Sequence, residues 1–143
     1  MKTLVRGRAL VCMIVLSGVL NSACTTQTPA ARTPPRCQRW DVGGTWSINQ
    51  SNGFFITFIV RQNQDEVVGT ADSGSGTVPL VGTLRDNQLA MTVSWTRGGA
   101  GRYTATMSPA GLLIDGFTQN VSMPSSTATW STAQQFKCQL RAR

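Results

Sequence analysis

From Gly44 onward, apolar and polar residues alternate in short runs that clusters of Gly, Asn, Asp, Ser and Pro interrupt. Eight runs stand out, over residues 44–50, 53–62, 66–72, 77–85, 88–97, 101–108, 112–118 and 126–139. A period of two marks a half-buried β-strand, and turn residues between such runs mark the connections. In the fifth run Leu89, Met91, Val93 and Trp95 share one face, while Ala90, Thr92, Ser94 and Thr96 share the other. The sixth repeats the pattern with Tyr103, Ala105 and Met107 against Arg102, Thr104 and Thr106. One apolar and one Thr-rich face is what an antiparallel sheet in water presents. The second run departs from this rule. Phe54, Ile56, Phe58 and Val60 make one apolar face, but Phe55 and Ile59 point to the other, where either the N-terminal tether or a partner would cover them. No segment sustains a helical period.

The N-terminus follows a different pattern. Lys2, Arg6 and Arg8 precede an apolar stretch over residues 9–20, interrupted only by Ser17 and Gly18. It falls short of the roughly 20 apolar residues of a transmembrane helix and has the proportions of a signal peptide over residues 1–23. The segment Leu20-Asn21-Ser22-Ala23-Cys24 resembles the lipobox of bacterial lipoproteins. That resemblance implies cleavage before Cys24 and a palmitate-bearing lipid on its sulfur. Asn21 stands where the lipobox carries Leu, so cleavage after Ala23 by ordinary signal peptidase, giving a soluble periplasmic or secreted protein, is the alternative. Thr25, rather than Asp, follows the Cys, which by the same resemblance implies the outer membrane, facing periplasm or cell surface. Residues 24–39, with Pro29, Pro34 and Pro35, read as an extended Thr/Pro-rich tether. The domain is expected over residues 40–143.

Cys12 leaves with the signal segment and the lipid takes Cys24, so Cys37 and Cys138 remain to form a disulfide. Such bonds persist outside the cytoplasm, and closing a loop of about 100 residues is worth ~4–5 kcal/mol in the chain-entropy picture. In an antiparallel barrel with an even number of strands, the first strand begins beside the end of the last, where these two cysteines fall. The expected architecture is therefore all-β, an eight-stranded antiparallel up-and-down barrel, with a β-sandwich as the alternative.

Loss of Lys2, Arg6 and Arg8 lowers the net charge from +7 to +4, and Arg32, Arg36, Arg39, Arg141 and Arg143 lie near the ends. These arginines are either solvated or placed against anionic headgroups or peptidoglycan. No basic run is interleaved with aromatics, so no nucleic-acid partner is expected.

Gly44-Thr45-Trp46 resembles the G-x-W of lipocalins and the G-T-W of avidins, both calycin-type eight-stranded barrels. Gly69-Thr70, Gly82 and the Val93-Ser94-Trp95 strand add to the likeness. The resemblance implies that Trp46 packs across the barrel's closed end, in a structural role. Avidins would imply biotin, but Ser47 stands where they carry Asn, and Thr70 where they offer a Tyr hydroxyl. Biotin is not the expected ligand.

Catalytic chemistry has little to build on. The chain has no His, the commonest general base and metal ligand. Asp41, Asp65, Glu66, Asp72 and Asp86 fall at turns or strand ends. Asp115 lies inside the seventh run, as either a solvent-facing group or a buried polar anchor. Lys137 has no Ser-x-x-Lys context, and Ser73-Gly74-Ser75-Gly76 lacks the Lys and helix of a phosphate cradle. No enzyme, cofactor or metal site is expected. Two functions remain. One is a binding module with a small apolar ligand in the barrel mouth, lined by Trp95, Tyr103, Met107 and Trp130, for which ordinary core is the competing role. The other is a protein-interaction or structural envelope lipoprotein, for example an inhibitor of an envelope-targeting enzyme. It would use the loops 73–76 and 98–101 or the Phe55/Ile59 surface, in distant analogy to periplasmic lysozyme inhibitors.

Overall fold

A computed structural model describes residues 37–96 and 99–139. The expected signal segment, Cys24, most of the expected tether, and Arg141 and Arg143 lie outside the described residues. The described residues form ten strands: β1 (Arg39–Asp41), β2 (Gly44–Asn49), β3 (Phe55–Asn63), β4 (Glu66–Asp72), β5 (Thr77–Arg85), β6 (Gln88–Trp95), β7 (Gly99–Met107), β8 (Leu113–Asn120), β9 (Thr127–Trp130) and β10 (Lys137–Gln139). Strands β2 to β9 form one antiparallel sheet in sequence order, every strand paired with the next, and the sheet curls through 245°. No helix occurs among the described residues. The architecture is all-β, and its eight-stranded sheet runs up and down as the alternation predicts.

Burial follows that alternation. Leu89, Met91 and Val93 on β6 and Tyr103, Ala105 and Met107 on β7 point inward and are buried. Their Thr neighbours occupy the outer face, where β-branched side chains suit a half-solvated pleat. Turn chemistry fixes the register between them. Asp86 (φ 46°) and Asn87 (φ 68°) both adopt left-handed conformations, as the two-residue turn matching strand twist requires.

Strands β1 and β10 form a separate two-stranded ribbon, with Trp40 opposite Cys138. The ribbon crosses the end of the sheet formed by the β3–β4 and β7–β8 turns. The Gln62 side-chain amide donates to the Trp40 carbonyl, and its oxygen accepts from the Val42 N–H. The Phe136 N–H donates to the Gly111 carbonyl at 2.7 Å. Trp46 lies beneath this cover, donating its indole N–H to the Val42 carbonyl at 3.0 Å and meeting Phe136 edge-on. Trp46 therefore does pack at the closed end. Phe58 and Tyr103 continue this aromatic column away from the cover.

Two details differ from the sequence expectation. The Cys37–Cys138 disulfide is present, but it staples the ribbon and does not join the edges of the large sheet. Cys37 and Arg39, which a boundary at residue 40 leaves in the tether, take part in the ribbon and its disulfide. The run 126–139 is also not one strand. It leaves the sheet at Trp130 so that Phe136 can turn inward to plug the closed end, and it resumes as β10 only against β1. The sheet edges β2 and β9 approach each other at the opposite end, where the Ser51 N–H donates to the Thr129 carbonyl and the Thr129 N–H donates to Ser51 Oγ.

Candidate ligand-binding site

The up-and-down order sends the β2–β3, β4–β5, β6–β7 and β8–β9 connections to the end opposite the ribbon. Between them the interior opens into a cavity of about 550 Å³, within the size range of small-molecule sites. Each connection contributes to its rim: Asn52 and Phe54, Ser73 and Ser75, Thr96, and Ser126 with Thr127. Deeper positions come from the strands, namely Ile56, Trp95, Tyr103, Thr118 and Ala128, together with Gln50 at the end of β2. Among these lining residues there is no Asp, Glu, Lys or Arg.

A polar floor closes the cavity. Tyr103 is 2% exposed and Gln50 7% exposed, and the Gln50 amide donates to the Tyr103 hydroxyl at 3.3 Å. The Trp95 indole N–H bonds the same hydroxyl. Burial pushes the Tyr103 phenol up from its ordinary pKa near 10, and the bonds from Gln50 and Trp95 only partly offset this. Gly101 makes the arrangement possible. A Cβ there would lie 2.9 Å from Tyr103 Cε2 and 3.0 Å from Trp95 Nε1, tighter than real side chains tolerate.

Thr118 reaches this floor through an irregularity in β8. Thr104 pairs with Phe117 and Thr106 with Ile114, so β8 carries one extra residue in that interval. The extra residue is accommodated at Asp115, whose φ is 53°. The bulge changes which faces the following residues occupy. Regular alternation from the buried Leu113 would turn Asp115 and Phe117 inward. Instead Gly116 and Thr118 point inward, and Asp115 and Phe117 are exposed. Gly116 then carries the Trp130 indole directly on its backbone, where a Cβ would collide with Trp130 Cδ2 and the Trp130 carbonyl. The hydroxyl of Thr118 and the indole N–H of Trp130 are buried without a hydrogen-bonding partner, a costly state for groups kept from water.

Of the four candidate lining residues, Trp95 and Tyr103 face the cavity. Met107 does not. It lies at the far end of β7, beside the turn under the ribbon, opposite Leu113. Trp130 is packed behind Tyr103, at a ring-centroid distance of 6.5 Å, and is not part of the lining. Gln50 and Thr118 were missed, because β-alternation marks inward apolar residues but gives no sign of a polar residue turned inward. The 73–76 loop forms one side of the mouth, with Ser73 and Ser75 hydrogen-bonded to each other. Residue 98 lies outside the described residues. Phe55 and Ile59 project outward, 55% and 56% exposed, on the same face as Val68 and Val81.

Comparison with family models, curated proteins and solved structures finds no match to this chain.

Proposed function

We propose that this is an exported, lipid-anchored envelope protein whose domain is a non-catalytic binding module, taking one small uncharged molecule into the open end of the sheet. The observation that carries this reading is the roughly 550 Å³ cavity whose floor holds the buried, unpartnered Thr118 hydroxyl. Folding sacrifices hydrogen bonding at that atom, and a bound molecule would restore it. The lining mixes Phe54, Ile56 and Trp95 with hydroxyl and amide side chains, so the ligand is amphipathic rather than purely apolar. The Cys37–Cys138 disulfide supports export, because such bonds survive in oxidising compartments. Native mass spectrometry of protein purified from its own envelope is expected to show an added mass that denaturation releases. Only apo protein, under conditions gentle enough to keep weak complexes, would count against the binding role. Fatty-acid labelling that Cys24→Ser abolishes would establish the anchor.

A second reading, a protein-interaction envelope lipoprotein, is favoured by the outward Phe55, Ile59, Val68 and Val81, which share the outer face of β3, β4 and β5, where Arg61 stands opposite Val68.

A further inference from the structure

We infer that the cavity takes a neutral ring compound bearing hydroxyl groups and an amide carbonyl, the chemistry of an N-acetylated sugar, with the carbonyl held by Thr118 and Tyr103. The inference rests on the binding reading above and specifies its ligand.

Charge is the first constraint. None of the described lining residues is Asp, Glu, Lys or Arg, so against them a carboxylate, phosphate or ammonium group would lack a counter-charge, and desolvating an unpaired charge is prohibitive. The floor sets the second. Tyr103 and Thr118 are register partners on adjacent strands, so their side chains stand side by side on the inner face. The Tyr103 oxygen already accepts from Gln50, which leaves its proton to donate. Burial keeps that proton in place, since the phenol's pKa is raised. Thr118 brings a second hydroxyl without a partner. Each of these two O–H groups calls for an acceptor, and a carbonyl oxygen, with two lone pairs, is the compact neutral group of that kind.

The walls add the rest. Trp95 and Phe54 offer aromatic surface to the flat apolar faces of a ring. Asn52, Ser73, Ser75 and Thr96 surround the mouth with neutral donors and acceptors that suit ring hydroxyls. An alkyl chain would leave those groups, and the floor, without partners.

The test is calorimetry on the purified protein with intrinsic tryptophan fluorescence in parallel. The probes are N-acetylglucosamine, its β-1,4-linked dimer, glucosamine, glucose, palmitate and N-phenyl-1-naphthylamine. The acetylated sugars are expected to bind at least about tenfold more tightly than glucose or glucosamine, one lost hydrogen-bonded contact being worth roughly that factor. Thr118→Val should lose about tenfold for the acetylated sugars, and Thr118→Ser, which keeps the hydroxyl, should restore most of it. Phe55→Ser, on the outer face, should change nothing. Equal affinity with and without the acetyl group would overturn the inference. So would binding of only palmitate or the naphthylamine, which would leave the binding module standing with an apolar ligand. Silence from every probe would remove both.

Discussion

Tyr103 is the sole tyrosine of the chain, so its ionisation can be followed by near-ultraviolet absorbance without assignment. Burial raises its pKa above the ordinary value near 10, which means that the folded state favours the neutral phenol. Its contribution to stability is therefore complete below about pH 10 and is lost as pH rises through the raised folded value. A spectrophotometric titration is expected to show a midpoint above 10 in the folded protein and a return to the ordinary value in denaturant. A folded midpoint at or below 10 would put the hydroxyl in water and contradict the closed floor. At this scale the sequence was half legible. Trp95 and Tyr103 sit on clean alternating strands, so their inward direction could be read directly. Thr118 could not, because its direction is set by the added residue at Asp115; the Asp115-Gly116 pair inside the run is the kind of signal a bulge leaves, but alternation alone does not read it.

Strand β8 owes its shape to what lies across it. The bulge turns Gly116 toward Trp130, and the missing side chain is what lets the indole rest on the strand. Gly116→Ala is expected to cost about 1–3 kcal/mol, the usual penalty for overpacking, measured as a lowered midpoint in denaturant with an unchanged m-value. A neutral result would mean that Trp130 moves freely, and the packing described for it would be wrong. Most strand limits were readable from turn residues; β4 and β5 match the sequence runs at both ends. The short β1 and β10 were not readable. Three residues are too few to show a period, and their pairing depends on a partner about 100 residues away that the disulfide brings close.

For the whole molecule, the disulfide is the main covalent constraint on a sheet whose edges β2 and β9 meet only near Ser51 and Thr129. Removing it by Cys37→Ala with Cys138→Ala is expected to cost about 2–5 kcal/mol, as for small exported domains that lose a bond closing a long loop. Chemical denaturation would measure this. A loss below about 1 kcal/mol would show that the ribbon holds by its own packing of Trp40, Val42 and Phe136. The alternating pattern anticipated an eight-stranded antiparallel sheet, since each run could bury only one face. It did not anticipate that the bridge would lock a lid across one end instead of sealing the seam.

That lid has a practical corollary. Both extremities of the described chain leave the fold on the side opposite the four rim loops. A label, bead or surface attached through either extremity therefore stands behind the domain, and the mouth stays facing the bulk solution where a passing solute can enter.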